Sequence, residues 1–435
     1  MKHLLLVCSL LFFMGKAKAQ DSLVWSLNDC IQYAMKNNIS IKKKALDKQS
    51  AEVNYIQQKN NKLPLLSGSS SLNVSNGSTI DPITSNFVSQ TIIANSYGLN
   101  GQLVLYQGNK LNLEVDKNEL IISQSALYQK EAENNIKLSI IEAYIQTLYY
   151  KEGIAIAENA VRSSAEELTQ TKAKFSNGSI ARKDLSDIET QHATNQYNVV
   201  SAKNLYLLQE LKLKQFLELN PSVEFKISDM RLSDVSEDIP DKQSLFSKAA
   251  ENLPDLKIYD LQDGILNKEL KITKAGYLPT LSMSGGLNTG YTNTMGYTFA
   301  DQIRRNFSQQ GGLSLSIPIF SKRTNANNVK LARINLQQNK LDKISAQKTL
   351  YSKIETAWQN AVSNQAQQNA ARTTTENAEL AYNLARRKYE FGGLTTTELS
   401  VSRNTYLSAA QNYLQSKLMA VLYKELLTFY SGDLK

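Results

Sequence analysis

Histidine and cysteine are nearly missing from this 435-residue chain: it has only His3, His192, Cys8 and Cys30. Two of these fall in a leader-like start. Lys2 supplies a positive charge, Leu4 to Met14 is an apolar run, and Ala17-Lys18-Ala19 is a small-x-small cleavage site. The pattern predicts a secretory signal peptide over residues 1–19, too short to span a bilayer. Gln20 would open the mature chain, with no cysteine there to take a lipid anchor. One histidine and one cysteine then remain. They are too few for an intramolecular disulfide or for a zinc site built on these ligands. Neither a phosphate-cradling glycine loop nor a GxSxG elbow is present. The chain is read as a non-enzyme without cofactor or metal. Cys30 is expected to be a small apolar residue on a helix, and His192 a surface helix residue. Loss of the leader lowers the formal charge from +9 to +6, which gives no footing for a nucleic-acid partner.

Proline is scarce as well, and residues 83–220 and 319–435 contain none. Proline breaks helix interiors, so these stretches predict long helices. Internal repetition organises the rest. Leu63-Pro64 and its surroundings resemble Leu278-Pro279 at an offset of 215; Gly98 to Tyr106 resembles Gly312 to Phe320 at 214. Lys174-Phe175-Ser-Asn-Gly178, leading to Asp184-Leu185, resembles Lys388-Tyr389-Glu-Phe-Gly392, leading to Glu398-Leu399, again at 214. Three landmarks in order at nearly one offset indicate a duplicated half-protein. The first repeat is placed at 20–220, a polar linker at 221–241 and the second repeat at 242–435.

Each half reads as helix, strand, loop, strand, long helix, turn, helix. The first half predicts helices over Leu27 to Asn37, Ile39 to Leu63, Lys110 to Ser176 and Arg182 to Leu219. The second predicts Ser244 to Glu251, Pro254 to Gly276, Lys322 to Glu390 and Thr396 to Tyr430. The two longest would reach roughly 100 Å at 1.5 Å per residue, too long to wrap a compact core. The shorter helices of each half, set end to end, come close to matching them. Alanine, serine and leucine at spacings of three and four suit coiled-coil packing. A plain coiled-coil scaffold is the competing reading, but four strands interrupt it.

Those strands are expected at about 65–74, 96–106, 280–290 and 311–320, and each alternates with period two. Leu99, Leu103 and Leu105 share a face with Tyr97 and Gly101, opposite Gly98, Asn100, Gln102 and Val104. Leu281, Met283 and Leu287 oppose Ser282, Ser284, Gly286 and Asn288. Leu313, Leu315, Ile317 and Ile319 alternate with Ser314, Ser316 and Pro318. Leu66, Leu72 and Val74 form the apolar side of the first strand. Across 64–109 the only charge is Asp81; across 277–321 the charges are Asp301, Arg304 and Arg305, all in loops. A soluble sheet usually carries Lys or Glu on its wet face. A face of Ser, Gly, Asn and Gln suits a watery lumen, and strands of about ten residues match a tilted outer-membrane crossing. Leu99, Leu103, Leu105, Leu281, Met283, Leu313, Leu315 and Ile317 are therefore read as lipid-facing. Tyr291, Tyr297 and Phe299 are either an aromatic girdle or ordinary loop residues. Four strands cannot close a membrane barrel, and an open edge in lipid leaves N–H and C=O groups unsatisfied. Two copies pool eight strands and three pool twelve; only the larger leaves a channel, which predicts a homotrimer.

Together, the leader, the 214-residue duplication, the Leu-Pro pairs, the apolar strands and the Phe/Tyr-x-x-Gly turns before Asp/Glu-Leu resemble the TolC-like outer-membrane efflux proteins. The resemblance implies a mainly α fold with a membrane β-barrel portion: a trimeric twelve-stranded barrel in the outer membrane, continued by a long helical barrel into the periplasm. It implies a passive export tunnel that docks a periplasmic adaptor and an inner-membrane pump. It further implies that the turns form the periplasmic tip, with Phe175, Gly178, Tyr389, Gly392 and Thr395 on the adaptor-docking motifs. Asp184, Asp187 and Glu398 become entrance or gate candidates. The family's pattern has a second carboxylate three residues after the Glu398 position, where this chain has Val401. Glu398 also has a purely local reading, because Thr395-Thr-Thr-Glu398 is a capping box. Asp184 likewise suits a helix start, and Gly178 and Gly392 suit helix ends. A periplasmic coiled-coil scaffold without channel activity is the alternative function.

Overall fold

The computed structural model describes residues 24–80, 84–89, 91–229 and 239–432. The predicted signal peptide and Asp81 lie outside the described residues. In chain order the elements are β1 (Val24–Trp25), α1 (Leu27–Asn37), α2 (Ile39–Asn60), β2 (Leu65–Ser75), β3 (Ser78–Ile80), β4 (Phe87–Ser89) and β5 (Ile92–Gln107). Then follow α3 (Lys110–Ser176), α4 (Arg182–Phe216), β6 (Lys226–Ile227), α5 (Lys242–Asn252) and α6 (Pro254–Ala275). The chain closes with β7 (Thr280–Thr292), α7 (Phe299–Arg305), β8 (Ser308–Ser316), α8 (Thr324–Glu390) and α9 (Thr396–Ser431). Both proline-free stretches carry a 67-residue helix, α3 and α8. None of the described helices is long and apolar enough to cross a membrane.

Local chemistry sets the boundaries. Ser26 opens α1 with a capping box: its Oγ accepts the Asp29 N–H, and the Asp29 carboxylate accepts the Ser26 N–H at 3.0 Å. Helix α8 begins two residues later than predicted. Lys322 and Arg323 have φ of +51° and +62°, a left-handed conformation that cannot continue a right-handed helix. The equivalent junction of the first half uses Gly108 (φ +59°) and Asn109 (φ +62°), residue types that adopt this conformation at little cost. At Gly108 space also excludes a side chain, since a Cβ would stand 2.8 Å from Leu278 Cδ1.

The chain forms two compact units. One comprises the described parts of 1–43, 131–253 and 348–435. Its core gathers Ile140, Ile141, Tyr144, Ile145 and Leu148 of α3 with Cys30, Leu213, Leu217 and Leu418. Each fully buried aliphatic side chain there contributes about 1.5–3 kcal/mol. The stretch predicted as a linker is partly structural. Val24 and Trp25 pair in parallel with Lys226 and Ile227, and Phe225 and Ile227 join the core. A two-residue strand is too short to leave a periodicity in the sequence. Cys30 is fully buried on α1, as expected, and burial pushes its thiol up to about 12. His192 lies on helix α4, as expected, where it is half-buried with Nδ1 3.0 Å from Ser164 Oγ.

The other unit comprises the described parts of 44–130 and 254–347. It holds an antiparallel sheet in the order β2-β5-β7-β8, so β2 and β8 are its edges. Lys117 with Glu269 and Lys268 with Asp116, each at 2.7 Å, tie the start of α3 to α6.

Candidate functional site

The sheet sorts its side chains into two faces, and the register carries each face across all four strands. In an antiparallel pair, directly opposite residues point to the same side. Leu103 opposes Met283, which opposes Leu313; Leu99 opposes Leu287; Leu281 opposes Leu315. Leu66, Leu72 and Val74 oppose Gly101, Asn95 and Ile93 and complete the apolar face. On the other face Ser67, Asn100, Gly286 and Gln310 form one row, and Leu65, Gln102, Ser284 and Gly312 the next. This polar face is concave, with a hollow of about 440 Å³ bordered by Ser67, Asn100, Gln102, Ser284 and Gln310. A Cβ on Gly286 would stand 2.8 Å from Asn100 Oδ1, and one on Gly98 2.9 Å from Ser69 Oγ. The two glycines therefore let neighbouring polar side chains lie flat against the strands.

The structure departs at two places from the strand alternation on which the set expected to face lipid rests. Between Val104 and Tyr106 the register shifts: Val104 opposes Ser282, Tyr106 opposes Leu281, and Leu105 is the extra residue of a β-bulge. Ile317 lies beyond β8, which ends at Ser316. Pro318 has no N–H for a ladder, and the residue before a proline is restricted as well. Every residue of β2 and β8 is exposed, including Leu313 at 70%. Of the aromatic set, Tyr291 lies on β7 and its ring stands 5.6 Å from that of Phe299, whereas Tyr297 pairs with Arg305 at 4.3 Å.

The two helix-turn-helix corners lie together in the other unit. Each long helix ends in the same pair of bonds: Gly178 N–H to Phe175 O and Ser179 N–H to Lys174 O, then Gly392 N–H to Tyr389 O and Gly393 N–H to Lys388 O. These are Schellman turns, and Gly178 (φ +71°) and Gly392 (φ +77°) supply the left-handed residue each one needs.

The carboxylates at the corners are engaged. Glu398 forms a full capping box: its carboxylate accepts the Thr395 N–H at 2.9 Å and the Thr395 hydroxyl at 2.7 Å. Those bonds hold its pKa below the usual carboxylate range. Ala181 stands where the second half has Thr395, so the first half keeps one direction only, with Asp184 accepting the Ala181 N–H at 3.3 Å. The other Asp184 oxygen accepts the Thr396 hydroxyl at 3.0 Å, which links the two corners. Asp187 pairs with Lys183 at 2.7 Å.

Tyr389 is 3% exposed, with its hydroxyl 2.9 Å from Thr171 Oγ1, Lys174 4.3 Å from its ring centroid, and Leu399 and Tyr382 around it. It packs the corner rather than displaying itself. The aromatic displayed there is Phe391, 90% exposed, which immediately precedes the turn glycine and is not among the docking residues the resemblance implies. Phe175 is 37% exposed beneath Arg182.

Also unforeseen is a buried charge cluster on α3, α8 and α9. Arg403 Nη1 lies 3.0 Å from Glu167 Oε2, the two side chains are 1% and 2% exposed, and the Tyr382 hydroxyl donates to Glu167 Oε1 at 2.8 Å. Arg403 Nη1 and Nε make no directed hydrogen bond, so the contact with Glu167 is ionic in character. Burial and the Glu167 charge push the Tyr382 phenol up to about 12. Only helix register brings these residues together. Among the described residues no group of three or more His, Cys, Asp or Glu is placed to hold a metal ion.

The sequence profile of the family described as "Outer membrane efflux protein" matches residues 30–217 and 245–432, one copy on each half. The "Outer membrane protein TolC" of Escherichia coli (strain K12) is 23% identical over 310 residues, 68% of this chain and 62% of that protein. The alignment thus spans less than two thirds of that relative's length. Among solved structures, the Campylobacter jejuni CmeC outer membrane channel superposes with a TM-score of 0.80 at 17% identity, over 94% of this chain and 86% of that one. The outer membrane protein VceC of Vibrio cholerae gives 0.76 at 14% identity, over 94% and 97%. At these identities the superpositions establish a shared fold of long helices and a four-stranded sheet.

Proposed function

The chain belongs to the outer membrane efflux protein family and is an outer-membrane protein, and from that premise we propose that three copies form a passive export tunnel. Each copy contributes four strands to a twelve-stranded barrel whose long helices continue into the periplasm. The observation that carries this reading is the sheet. It has two edge strands, an apolar face free of charge and a concave polar face lined by Ser, Asn and Gln. In lipid such edges are sustainable only when another strand pairs with them. The concave side becomes the lumen, and Leu99, Leu103, Leu281, Met283, Leu313 and Leu315 face the acyl chains.

The helical corners form the periplasmic end, where an adaptor coupled to an inner-membrane pump docks. Phe391 and Phe175 offer the apolar contact, while Tyr389, Thr395, Gly178 and Gly392 hold the turns in shape. Asp184, Asp187 and Glu398 supply negative charge near the entrance. Asp184 and Glu398 serve as caps and Asp187 pairs with Lys183, and all three still contribute to the field of a narrow pore, which low-dielectric walls intensify. Planar-bilayer recording tests both levels. The purified protein is expected to give discrete conductance steps, and Asp184→Asn combined with Glu398→Gln to lower cation preference while leaving insertion intact. Absence of steps from correctly inserted protein sinks the tunnel. Normal steps with unchanged selectivity in the double variant sink the role of the carboxylates alone.

A further inference from the structure

Between Leu63 and Asn109, and again between Gly276 and Ser321, the sequence holds only two cationic side chains, the adjacent Arg304 and Arg305. Both belong to α7, in the β7–β8 connection. Strand β7 leaves α6 through residues 276–279, so its Thr292 end is the end away from that helix. Helix α7 is pinned over this end. Thr289 Oγ1 donates to Ile303 O at 2.7 Å, Asn306 Nδ2 donates to Gly290 O at 2.8 Å, and the buried Gln302 side chain bonds both the N–H and the C=O of Thr292 at 2.9 Å. Phe299 lies against the rings of Tyr291 (5.6 Å) and Tyr97 (6.4 Å), whose positions belong to the apolar face of the sheet. Phe299 is 51% exposed and Arg304 77%.

An aromatic belt at a membrane interface accounts for the rings. It does not account for the only two cations of the barrel portion standing beside them. Arg305 lies 4.3 Å from the centroid of Tyr297. Asp301, in the first turn of α7 that Thr298 caps, accepts one bond from Arg304 at 2.7 Å, and Asp301, Arg304 and Arg305 together keep a net charge of +1. Asp301 thereby orients the Arg304 guanidinium, whose planar fork suits phosphate oxygens. We propose that α7 and the strand ends beneath it dock a phosphorylated lipid headgroup of the outer leaflet. Arg304 and Arg305 meet the phosphate, and Tyr97, Tyr291 and Phe299 seat the apolar part of the same lipid. The proposal rests on the barrel reading, because that reading sets the apolar face in lipid and this end outward.

The test uses the full-length protein in phosphatidylcholine nanodiscs containing either diphosphoryl lipid A or its dephosphorylated form, with bound lipid counted by native mass spectrometry. Wild-type protein is expected to retain the diphosphoryl lipid in preference to the dephosphorylated one. Arg304→Gln with Arg305→Gln is expected to cut that preference by about tenfold or more, on the scale of about 1 kcal/mol per basic side chain at an anionic surface. Phe299→Ala is expected to weaken retention of both forms. Equal retention by wild type and the double arginine variant overturns the proposal. So does displacement of the lipid by millimolar inorganic phosphate, which would assign the site to a free anion. Inserted trimers that show no headgroup preference overturn this inference alone, whereas a wild-type protein that never inserts overturns the barrel reading and the docking surface with it.

Discussion

Arg403 and Glu167 show how much one buried pair controls. Removing a charge from water costs several kcal/mol, which a buried partner offsets only while it stays in place. Arg403→Met alone strands the Glu167 carboxylate beside Tyr382, and the loss is expected at about 3–5 kcal/mol, read by chemical denaturation. Adding Glu167→Gln removes the stranded charge and keeps an acceptor for the Tyr382 hydroxyl, so most of that stability is expected to return. A double variant no better than the single one would show that the ion pair is not what holds these helices. The half-exposed pair Arg386 with Glu166, 3.7 Å apart, contributes at most about 1 kcal/mol by comparison.

The strands make the sharpest element-scale statement, because a period of two leaves no intermediate orientation. Leu103 and Leu315 lie on the apolar face and Asn100 on the concave one. Leu103→Arg or Leu315→Arg is expected to cost about 2–4 kcal/mol near the bilayer midplane, while Asn100→Arg is tolerated. Refolding titrations into lipid vesicles measure all three, and equal costs would mean that the faces are reversed or that neither meets lipid. Alternation, Gly content and the absence of charge made both faces legible in the sequence. The bulge at Leu105 was not legible, because one inserted residue has no composition of its own and appears only as a shift against the neighbouring strand. The early end of β8 could be read from Pro318, but the leucines and isoleucines around it continue the alternation and mask it.

At the scale of the whole molecule the question is what pairs with β2 and β8. Cysteines on the concave face test it directly: Ser67→Cys, Ser69→Cys or Ser71→Cys, each combined with Ser308→Cys, Gln310→Cys or Gly312→Cys. Cys30 does not compete, being fully buried with its thiol pushed up to about 12. Oxidation in membranes is expected to link chains, so that at least one combination gives covalent dimers and trimers on non-reducing gels. An internal cross-link with no higher species would mean that one chain's sheet closes on itself, which the pooled barrel does not allow.

The duplication, the long helices, the two faces of the sheet and the need for a partner at its edges were all determined by the sequence alone. Each is a periodic or counted property: an offset near 214, proline-free runs, alternation by two, and four strands where closure needs at least eight. The tertiary structure decided matters of juxtaposition. It buried Tyr389 and left Phe391 displayed, although both belong to one turn motif. It joined Asp184 to Thr396 and Glu167 to Arg403 across more than two hundred residues of chain. It drew Lys226 and Ile227 out of a polar stretch to pair with Val24 and Trp25. The physical reason is common to these cases. Periodicity shows which way a side chain points relative to its own element, whereas its neighbours are set by how helices and strands settle against one another, through packing that no local pattern encodes.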